Sequence, residues 1–471
     1  MKKIVVIGGG IAGLATAYRV QEEIASRGAD LECVVLEASD RFGGKIATER
    51  FDGFIVERGP DSFISQKPWA IELCKKLGLG GHLVGTNPRQ TSTYVYTGGR
   101  MKPMPDGLSL MVPTKFMPFV LSPLFSLPGK VRMGMDLFIP GKGDDGDESL
   151  ASFVRRRLGE EALRKMAEPM LAGIYASDPE KMSIKTTFPM FFQTERKYRS
   201  LILGMLAQKR GRTNHRPANG GPAPYSLFMT LRDGLGEMVD AIVRQSPRVA
   251  FRAGAAVREF GRAGKGWGMV LDSGERLTAD AAVLSTPASL SARMLENVSP
   301  KSAELLRRIH YVSTATVTLA YRKDGFSHPL NGFGFVVPRA EGRKIMACTW
   351  TSTKFPHRAP DGYVMLRCFV GGALQEDMAH LDEAEMEKMV RNELLEIMGV
   401  REEPVFCRTY LNRKSNVQYH VGHAGLVESI ERELGQAPGV FLAGSAYTGI
   451  GIPDCVLNGT RAAESAIQFV S

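Results

Sequence analysis

The chain has few cysteines and lacks a long apolar run. The six cysteines are Cys33, Cys74, Cys348, Cys368, Cys407 and Cys455. No two of them form a CxxC pair, which argues against a zinc knuckle or a redox disulfide. No run of about 18 uninterrupted apolar residues occurs, so no segment is expected to cross a membrane. The most apolar stretch, Leu108–Leu127, contains Lys115 and is interrupted by Pro113, Pro118 and Pro123, each of which removes a helical hydrogen bond.

Other absences narrow the class of protein further. No apolar segment suited to export follows Met1, and unpaired cysteines fit a reducing compartment, so a cytoplasmic location is expected. The net charge of +10 is spread over 471 residues, and no motif that reads nucleic acid accompanies it, so nucleic-acid binding is not expected. The sequence has no Ser/His/Asp set, no paired carboxylates in a motif and no metal-ligand spacing, since His420 and His423 are only three residues apart and are expected to lie on a loop. We therefore expect no metal and assign no catalytic side chain.

The two ends of the chain show the same alternation of predicted strands and helices. Ile4–Ile7 is predicted to be a buried strand, Ala12–Ser26 a helix and Leu31–Leu36 a second strand. Near the other end, Val440–Ala443 is predicted to be a strand, followed by a glycine-rich turn and a helix over Pro453–Phe469. At about 150 residues per domain, the length allows two to three domains. The ends therefore predict one discontinuous nucleotide-binding domain that encloses inserted domains.

Between the ends the composition and the predicted elements change. Met101–Leu203 is rich in Met, Leu and Phe and is predicted to be mostly helical. Gln208–Pro224 is rich in Gly, Pro and basic residues, which is typical of a surface loop. Trp267–Asp272 and Leu277–Leu284 flank Ser273-Gly274 as in a hairpin. Further strands are predicted at Ala315–Tyr321 and Phe333–Val337.

A glycine motif stands between the first strand and the first helix. Gly8, Gly10 and Gly13 form GxGxxG: the first allows a tight turn, the second lets a pyrophosphate approach the backbone, and the third lets the helix pack on the strand. The helix N-terminus offers free amides and a partial positive charge to the phosphates. Glu37 ends the second strand, where a carboxylate can accept hydrogen bonds from ribose hydroxyls. This order of elements predicts a dinucleotide site.

Two further segments favour FAD over NAD. Arg41-Phe42-Gly43-Gly44-Lys45 resembles the RxGG extension of the FAD-containing amine oxidases and desaturases. At the other end, Gly449-Ile450-Gly451-Ile452-Pro453 opens the last helix, and proline suits the first helical turn. A helix N-terminus directed at the flavin would stabilise the negative charge of the reduced ring.

Several longer motifs carry a closer resemblance. They are Glu57–Phe63, Gly173–Ala176, Arg199–Gly204, Cys348–Trp350, Gln418–His423 and Gly449–Cys455. Together they resemble the FAD-dependent porphyrinogen oxidases of haem biosynthesis over the whole chain. Within that family the resemblance is greater to the bacterial coproporphyrinogen III oxidases than to the enzymes that act on protoporphyrinogen IX, but the motifs leave both substrates open.

The resemblance implies an α/β fold. It consists of a Rossmann-type FAD domain of the p-hydroxybenzoate hydroxylase type, an inserted mixed substrate domain, and a helical domain that touches the membrane in some members. The expected boundaries are 1–85, 206–290 and 426–471 for the FAD domain, 86–205 for the helical domain and 291–425 for the substrate domain.

The resemblance also implies which residues contact FAD. They are Gly8, Gly9, Gly10, Ile11, Ala12, Gly13, Glu37, Ala38, Arg41, Gly44, Lys45, Gly59, Pro60, Asp61, Ser62, Val257, Gly449, Ile450, Gly451 and Ile452. Val257 fits independently, because the backbone of a strand near the hairpin could pair with adenine. Two positions depart from the family pattern: Ser445 stands where relatives often have a ribitol-binding acid, and Asn412 stands where Gram-positive members often have a tryptophan.

The implied reaction removes six electrons from a porphyrinogen, either coproporphyrinogen III or protoporphyrinogen IX, while three O₂ are reduced to three H₂O₂. Flavin N5 is then the hydride acceptor. Lys67 matches the family's propionate-binding position, and Gly173 and Ile174 would form the floor beneath the macrocycle. Contact with a membrane surface and with another enzyme of the haem pathway is also implied. The alternatives are another FAD amine oxidase or desaturase of the superfamily, and a redox-inert FAD-binding partner of haem enzymes.

Overall fold

The computed structural model describes residues 1–105, 108–109, 112–113, 116–213 and 225–471. The chain divides into two compact units. The first unit comprises Met1–Gly85, Tyr225–His310 and His423–Ser471, and the second comprises Thr86–Pro224 and Tyr311–Gly422. The finer division expected from the sequence, with separate helical and substrate domains, stays a prediction.

The strands are numbered in chain order. They are β1 (Lys2–Ile7), β2 (Leu31–Leu36), β3 (Thr48–Phe51), β4 (Phe54–Glu57), β5 (Phe63–Ile64), β6 (Leu83–Gly85), β7 (Thr93–Thr97), β8 (Arg100–Pro103), β9 (Leu108–Ser109), β10 (Val112–Pro113), β11 (Phe228–Leu231), β12 (Val249–Arg252), β13 (Val257–Ala263), β14 (Gly266–Leu271), β15 (Arg276–Ala279), β16 (Ala281–Leu284), β17 (His310–Arg322), β18 (Gly334–Val336), β19 (Ala347–Trp350), β20 (Tyr363–Gly371), β21 (Phe406–Gln418) and β22 (Val440–Leu442).

The α-helices follow the same order. They are α1 (Ile11–Arg27), α2 (Trp69–Lys76), α3 (Phe116–Leu121), α4 (Leu127–Gly134), α5 (Leu150–Arg157), α6 (Glu160–Ala162), α7 (Glu168–Tyr175), α8 (Ile184–Thr187), α9 (Pro189–Tyr198), α10 (Leu201–Thr213), α11 (Gly236–Arg244), α12 (Ala288–Leu295), α13 (Pro300–Arg307), α14 (Thr351–Lys354), α15 (Glu383–Met398), α16 (His423–Leu434) and α17 (Ile452–Val470).

A parallel sheet forms the centre of the first unit. Its strand order is β12-β2-β1-β16-β22, and all neighbours run parallel. Ile4, Val5 and Val6 are fully buried, as expected where helices cover both faces of a parallel sheet. The α/β class and the β-α-β start are thereby confirmed, with β2 at the predicted bounds.

The first and last helices pack against each other very closely. A Cβ on Gly459 of α17 would lie 2.0 Å from the carbonyl oxygen of Ala12 in α1. The Thr16 hydroxyl donates to the carbonyl of Gly459 at 2.9 Å. Because α1 and α17 follow the parallel strands β1 and β22 of one sheet, their N-termini face the same edge, where such sheets bind ligands.

One predicted strand divides into two. The sequence predicts a single hairpin strand over Leu277–Leu284, but the strand breaks at Asp280. β15 pairs with β14, whereas β16 joins the parallel sheet beside β1. The Asp280 carboxylate accepts a hydrogen bond from the Lys3 amide at 2.8 Å, so this polar residue marks the change of sheet.

The second unit contains a seven-stranded sheet and a cluster of helices. The sheet order is β21-β17-β20-β19-β18-β7-β8. In the helical cluster, Phe153, Val154 and Met166 are fully buried. No helix among the described residues is long and apolar enough to cross a membrane.

Two predictions fall partly on other residues. α10 extends to Thr213, so the first part of the predicted Gln208–Pro224 loop is helical, and residues 214–224 lie outside the described residues. Of the Leu108–Leu127 stretch, residues 110–111 and 114–115 also lie outside them.

Candidate functional site

The loop between β1 and α1 is shaped by its glycines. Gly8 has φ +108°, and a Cβ there would lie 2.4 Å from the carbonyl oxygen of Ser285. A Cβ on Gly13 would lie 2.0 Å from the carbonyl oxygen of Gly8. A Cβ on Gly10, by contrast, would meet no protein atom within 4 Å. Gly10 is also the N-cap of α1 without a side-chain cap, so the first amides of the helix are open to an anion.

Glu37 ties this loop to the end of β2. Its Oε2 accepts from the Gly9 amide at 2.7 Å, and its Oε1 accepts from the amide and the hydroxyl of Ser39, both at 2.8 Å. The backbone of Glu37 also pairs with Arg252 and Ala255, at the start of the segment that leads to Val257. Since each carboxylate oxygen has two acceptor sites, Oε1 is fully used and Oε2 can still accept one hydrogen bond, for example from a ribose hydroxyl.

The RxGG segment lies directly against the glycine loop. The Gly43 amide donates to the carbonyl of Gly9 at 2.8 Å, and a Cβ on Gly44 would lie 3.2 Å from the Cα of Gly10. The Arg41 guanidinium donates to the carbonyls of Gly44 and Ile46 at 2.7 and 3.2 Å. Arg41 therefore holds the shape of this segment, and burial lowers its pKa.

Lys45 and the segment after β4 continue the same wall. Gly59 is fixed by packing, because a Cβ there would lie 1.9 Å from the Lys45 carbonyl oxygen. Ser62 donates to Asp61 at 2.6 Å. The Lys45 side chain is exposed, yet desolvation lowers its pKa. We therefore expect Lys45 to line the cleft that holds the cofactor.

The N-terminus of α17 carries an ion pair. Lys67 Nζ lies 2.6 and 2.7 Å from the two carboxylate oxygens of Asp454. Asp454 lies in the first turn of α17, and a Cβ on Gly449 would lie 2.4 Å from its Cγ. Lys67 is therefore held beside the Gly449–Ile452 segment, and its predicted role toward a substrate propionate requires it to share or exchange this partner.

The predicted floor residues belong to the other unit. Gly173 and Ile174 lie near the end of α7, where Ile174 is half exposed and the nearest atoms to a Cβ on Gly173 are 3.8 Å away. Nearby, Glu168, Ala176 and Arg339 line a small cavity, and burial raises the pKa of Glu168. Their role toward the substrate stays a prediction.

Residues of two of the family motifs, Arg199–Gly204 and Gln418–His423, make hydrogen bonds within the fold. Ser200 donates to the buried carboxylate of Asp136 at 2.6 Å, and the Arg199 carbonyl accepts from Arg157 at 2.9 Å. In the Gln418–His423 run, His423 does not lie on a loop as expected but begins α16, with its Nε2 3.2 Å from the Tyr447 carbonyl oxygen.

Sequence reasoning missed two partners within the site. Ser39 binds Glu37, and Asp454 binds Lys67. The one signal for Asp454 is its place in the first turn of a helix, where acidic residues are favoured. Lys67 and Asp454 are separated by 387 positions in the sequence, and no local pattern indicates the pair.

These residues fit a flavin dinucleotide. The cleft offers uncapped helix amides at Gly10, a carboxylate at Glu37, an accessible cation at Lys45 and a second helix N-terminus at Gly451. Phosphates, ribose hydroxyls and a reduced flavin ring require donors and acceptors of these kinds. All predicted FAD contacts belong to the first unit.

Comparisons with known proteins agree with this fit. The profile of the flavin containing amine oxidoreductases matches residues 11–467. The coproporphyrinogen III oxidase of Bacillus subtilis is 39% identical over 100% of this chain and 98% of its own, and that of Staphylococcus aureus is 32% identical over 99% of each. A crystal structure from Exiguobacterium sp. 255-15, provisionally described as a protoporphyrinogen oxidase, superposes with a TM-score of 0.86 at 32% identity over 98% of both chains.

These matches confirm the predicted family, the fold class and FAD as the cofactor. They do not test the individual contact residues, which stay predictions. The chain belongs to the flavin containing amine oxidoreductases and, among them, to the family of the coproporphyrinogen III oxidases.

Proposed function

We propose that this protein oxidises coproporphyrinogen III to coproporphyrin III, removing six electrons while three O₂ become three H₂O₂. The observation that carries the proposal is the 39% identity to the Bacillus subtilis coproporphyrinogen III oxidase over the full chain. The second candidate, protoporphyrinogen IX, has the Exiguobacterium structure in its favour. The two substrates differ in charge, because the first carries four propionates and the second two.

Bound FAD supplies a two-electron acceptor that O₂ reoxidises. We infer that the chain holds it by the amides at the start of α1, by Glu37, and by the Gly449–Ile452 segment. The protein groups of the cleft would exclude water and orient the substrate C–H bond. No side chain in this site is assigned as an acid or base.

Lys67 supports recognition of a carboxylate substrate. Its side chain is 41% exposed although it is paired with Asp454, so a substrate propionate can approach it. Charge-assisted hydrogen bonds of this kind are about twice as strong as neutral ones. We infer that Lys67 binds one propionate of the macrocycle.

The test is a parallel assay of both porphyrinogens in air. Porphyrin fluorescence and H₂O₂ are measured together at matched concentrations. We expect the higher kcat/KM with coproporphyrinogen III and one H₂O₂ for every two electrons removed. A preference for protoporphyrinogen IX would overturn the substrate assignment. If neither porphyrinogen is oxidised while FAD stays bound, the expected substrate becomes an amine or a polyene.

We also propose that the protein works in the cytoplasm and contacts the inner face of the membrane. All six cysteines lie in the described part of the chain and are free thiols, as in reducing compartments. Leu127, Val131 and Phe138 are 75, 61 and 82% exposed, which supports contact with an apolar surface. Cosedimentation with anionic vesicles tests this, and binding that is unchanged in Leu127→Glu and Phe138→Glu would contradict it. Contact with another haem-pathway enzyme stays a proposal without a surface assigned to it.

A further inference from the structure

Three side chains from separate segments of the first unit lie close together, and none of them belongs to the predicted FAD contacts. His82 ends a short 3-10 turn before β6, Asp233 follows β11, and Glu237 lies in the first turn of α11. One ligand atom from each lies within 4.8 Å of the others. His82 Nδ1 is 3.1 Å from Glu237 Oε1. Within the described residues, no other group of three His, Cys, Asp or Glu side chains converges in this way.

The backbone fixes the positions of these side chains. β6 and β11 pair in antiparallel register, with Leu83 opposite Leu231, and the Arg232 amide donates to the His82 carbonyl at 2.9 Å. The Leu235 amide donates to the buried carboxylate of Glu57 at 2.8 Å. The segments that carry His82, Asp233 and Glu237 are therefore held by main-chain hydrogen bonds and a buried acceptor.

The charges in this cluster are not balanced by its own members. Glu237 Oε2 is fully buried and receives no hydrogen bond, and a carboxylate oxygen of Asp233 lies within 4.8 Å of a carboxylate oxygen of Glu237. Two carboxylates are both acceptors and repel each other when both are charged, so a cation between them would stabilise this arrangement.

The mixture of donors selects a class of cation. Imidazole nitrogen suits zinc and its transition-metal neighbours, whereas magnesium and calcium take mainly oxygen ligands. Ligands at about 2.0–2.2 Å from zinc lie roughly 3.3 Å apart in a tetrahedron, which matches the contact between His82 and Glu237. Small side-chain rotations of the exposed Asp233 would bring in the third ligand.

We propose that His82, Asp233 and Glu237 bind one Zn²⁺ ion, with water completing the coordination. The ion would link the turn before β6 to the N-terminus of α11 across 155 positions of the chain. Its role is therefore to stabilise the first unit. The proposal does not depend on porphyrinogen oxidation.

The experiment uses the FAD-loaded protein after treatment with a chelator and dialysis. ZnCl₂ and MgCl₂ are titrated by calorimetry, and the unfolding temperature is measured with and without each ion. We expect one equivalent of Zn²⁺ to bind and to raise the unfolding temperature, and Mg²⁺ to have no effect at equal concentration. Asp233→Asn and Glu237→Gln should each weaken Zn²⁺ binding about tenfold or more.

Two controls separate a metal site from a structural role. Glu237→Gln can donate an amide hydrogen bond to Asp233, so its metal-free unfolding temperature should be no lower than that of the unaltered protein. His380→Ala removes an exposed histidine in the second unit and should bind Zn²⁺ normally. Absence of saturable Zn²⁺ binding, equal effects of Mg²⁺, or unchanged binding in both carboxylate variants would overturn the proposal.

Discussion

Gly10 and Gly13 occupy the same loop, but they are glycines for different reasons. Gly13 faces protein, because its Cβ would meet the Gly8 carbonyl at 2.0 Å. Gly10 faces open space and has φ −70°, a conformation that alanine adopts freely. We therefore expect a side chain at Gly10 to be excluded by the bound cofactor, whereas a side chain at Gly13 is excluded by the fold.

Substitution of these two glycines distinguishes the two reasons. Gly10→Ala should leave the stability of the FAD-free protein unchanged or slightly higher and weaken FAD binding about tenfold or more, which is about 1.4 kcal/mol. Gly13→Ala should lower both. The measurements are flavin titration and urea unfolding, with Gly81→Ala, another position without neighbours, as the control. Normal FAD affinity in Gly10→Ala would contradict a pyrophosphate site at this helix N-terminus.

The Lys67–Asp454 pair makes a second residue-scale prediction. Lys67→Met should raise the KM for coproporphyrinogen III about tenfold, because one charge-assisted hydrogen bond of about 1.5–3 kcal/mol is lost. Asp454→Asn should lower KM, because Lys67 loses a competing carboxylate. The flavin spectrum of Lys67→Met should not change.

The matched control is Lys76→Met, which removes an exposed lysine paired with Glu22 at 2.8 Å. It should leave KM unchanged. If Lys67→Met and Lys76→Met have the same KM, Lys67 does not contact the substrate.

At the scale of elements, the buried pair of Asp136 and Arg157 joins parts of the helical cluster. Both side chains are 0% exposed. Arg157 also donates to the carbonyls of Ile139 and Arg199, and Asp136 accepts from Ser200. The pair thus connects the end of α5 to the turn between α9 and α10, and its hydrogen bonds offset the cost of desolvation.

Breaking this pair should be costly. Asp136→Asn removes the carboxylate that binds the buried Arg157 directly and leaves it with Glu195 Oε1 at 3.6 Å, so the free energy of unfolding should fall by up to about 3–5 kcal/mol. Urea denaturation measures the change. Arg155→Met, at a neighbouring position with exposed partners, should cost about 1 kcal/mol or less. Equal losses of unfolding free energy in the two variants would show that burial does not determine how much the Asp136–Arg157 pair contributes to stability.

Sequence reasoning succeeded where the signal was local. β2 has the predicted bounds, and α1 and α17 each differ from prediction by a residue at either end, because glycines and apolar periodicity mark them directly. The prediction of a single strand over Leu277–Leu284 was wrong because apolar residues continue across Asp280. Only the tertiary contact of Asp280 with Lys3 shows where the strand breaks. The prediction of a loop at His423 was wrong because Gly422, which precedes α16, is equally typical of a loop.

At the scale of the whole molecule, long-range pairs set the limit of prediction. GxGxxG, Glu37 and the RxGG segment all lie before Ile46 and could be assembled from sequence alone. Lys67 with Asp454, and His82 with Glu237, are separated by 387 and 155 positions. Their meeting depends on a first unit built from three separate segments, and no local pattern encodes that arrangement.

The buried and half-buried thiols of both units make a prediction about the whole molecule. Burial raises the pKa of Cys33, Cys74, Cys407 and Cys455 to about 12, against about 8.5 in an unfolded chain. The folded state therefore retains protons that the unfolded state loses above a pH of about 8.5. Stability from these groups is complete below that pH and decreases as the pH rises toward about 12.

Cys33→Val isolates one of these contributions. Cys33 is 0% exposed in β2, and its thiol should account for a loss of roughly 1 kcal/mol per pH unit between about pH 9 and 11. The plot of unfolding free energy against pH should therefore be flatter in Cys33→Val by that slope. Val35→Ala, also 0% exposed in the same strand, should lower stability equally at every pH and keep the original slope, because it removes apolar contacts and no titrating group. A Cys33→Val slope identical to that of Val35→Ala would mean that the folded and unfolded states bind the Cys33 proton equally, and alkaline instability would then have to arise from other groups.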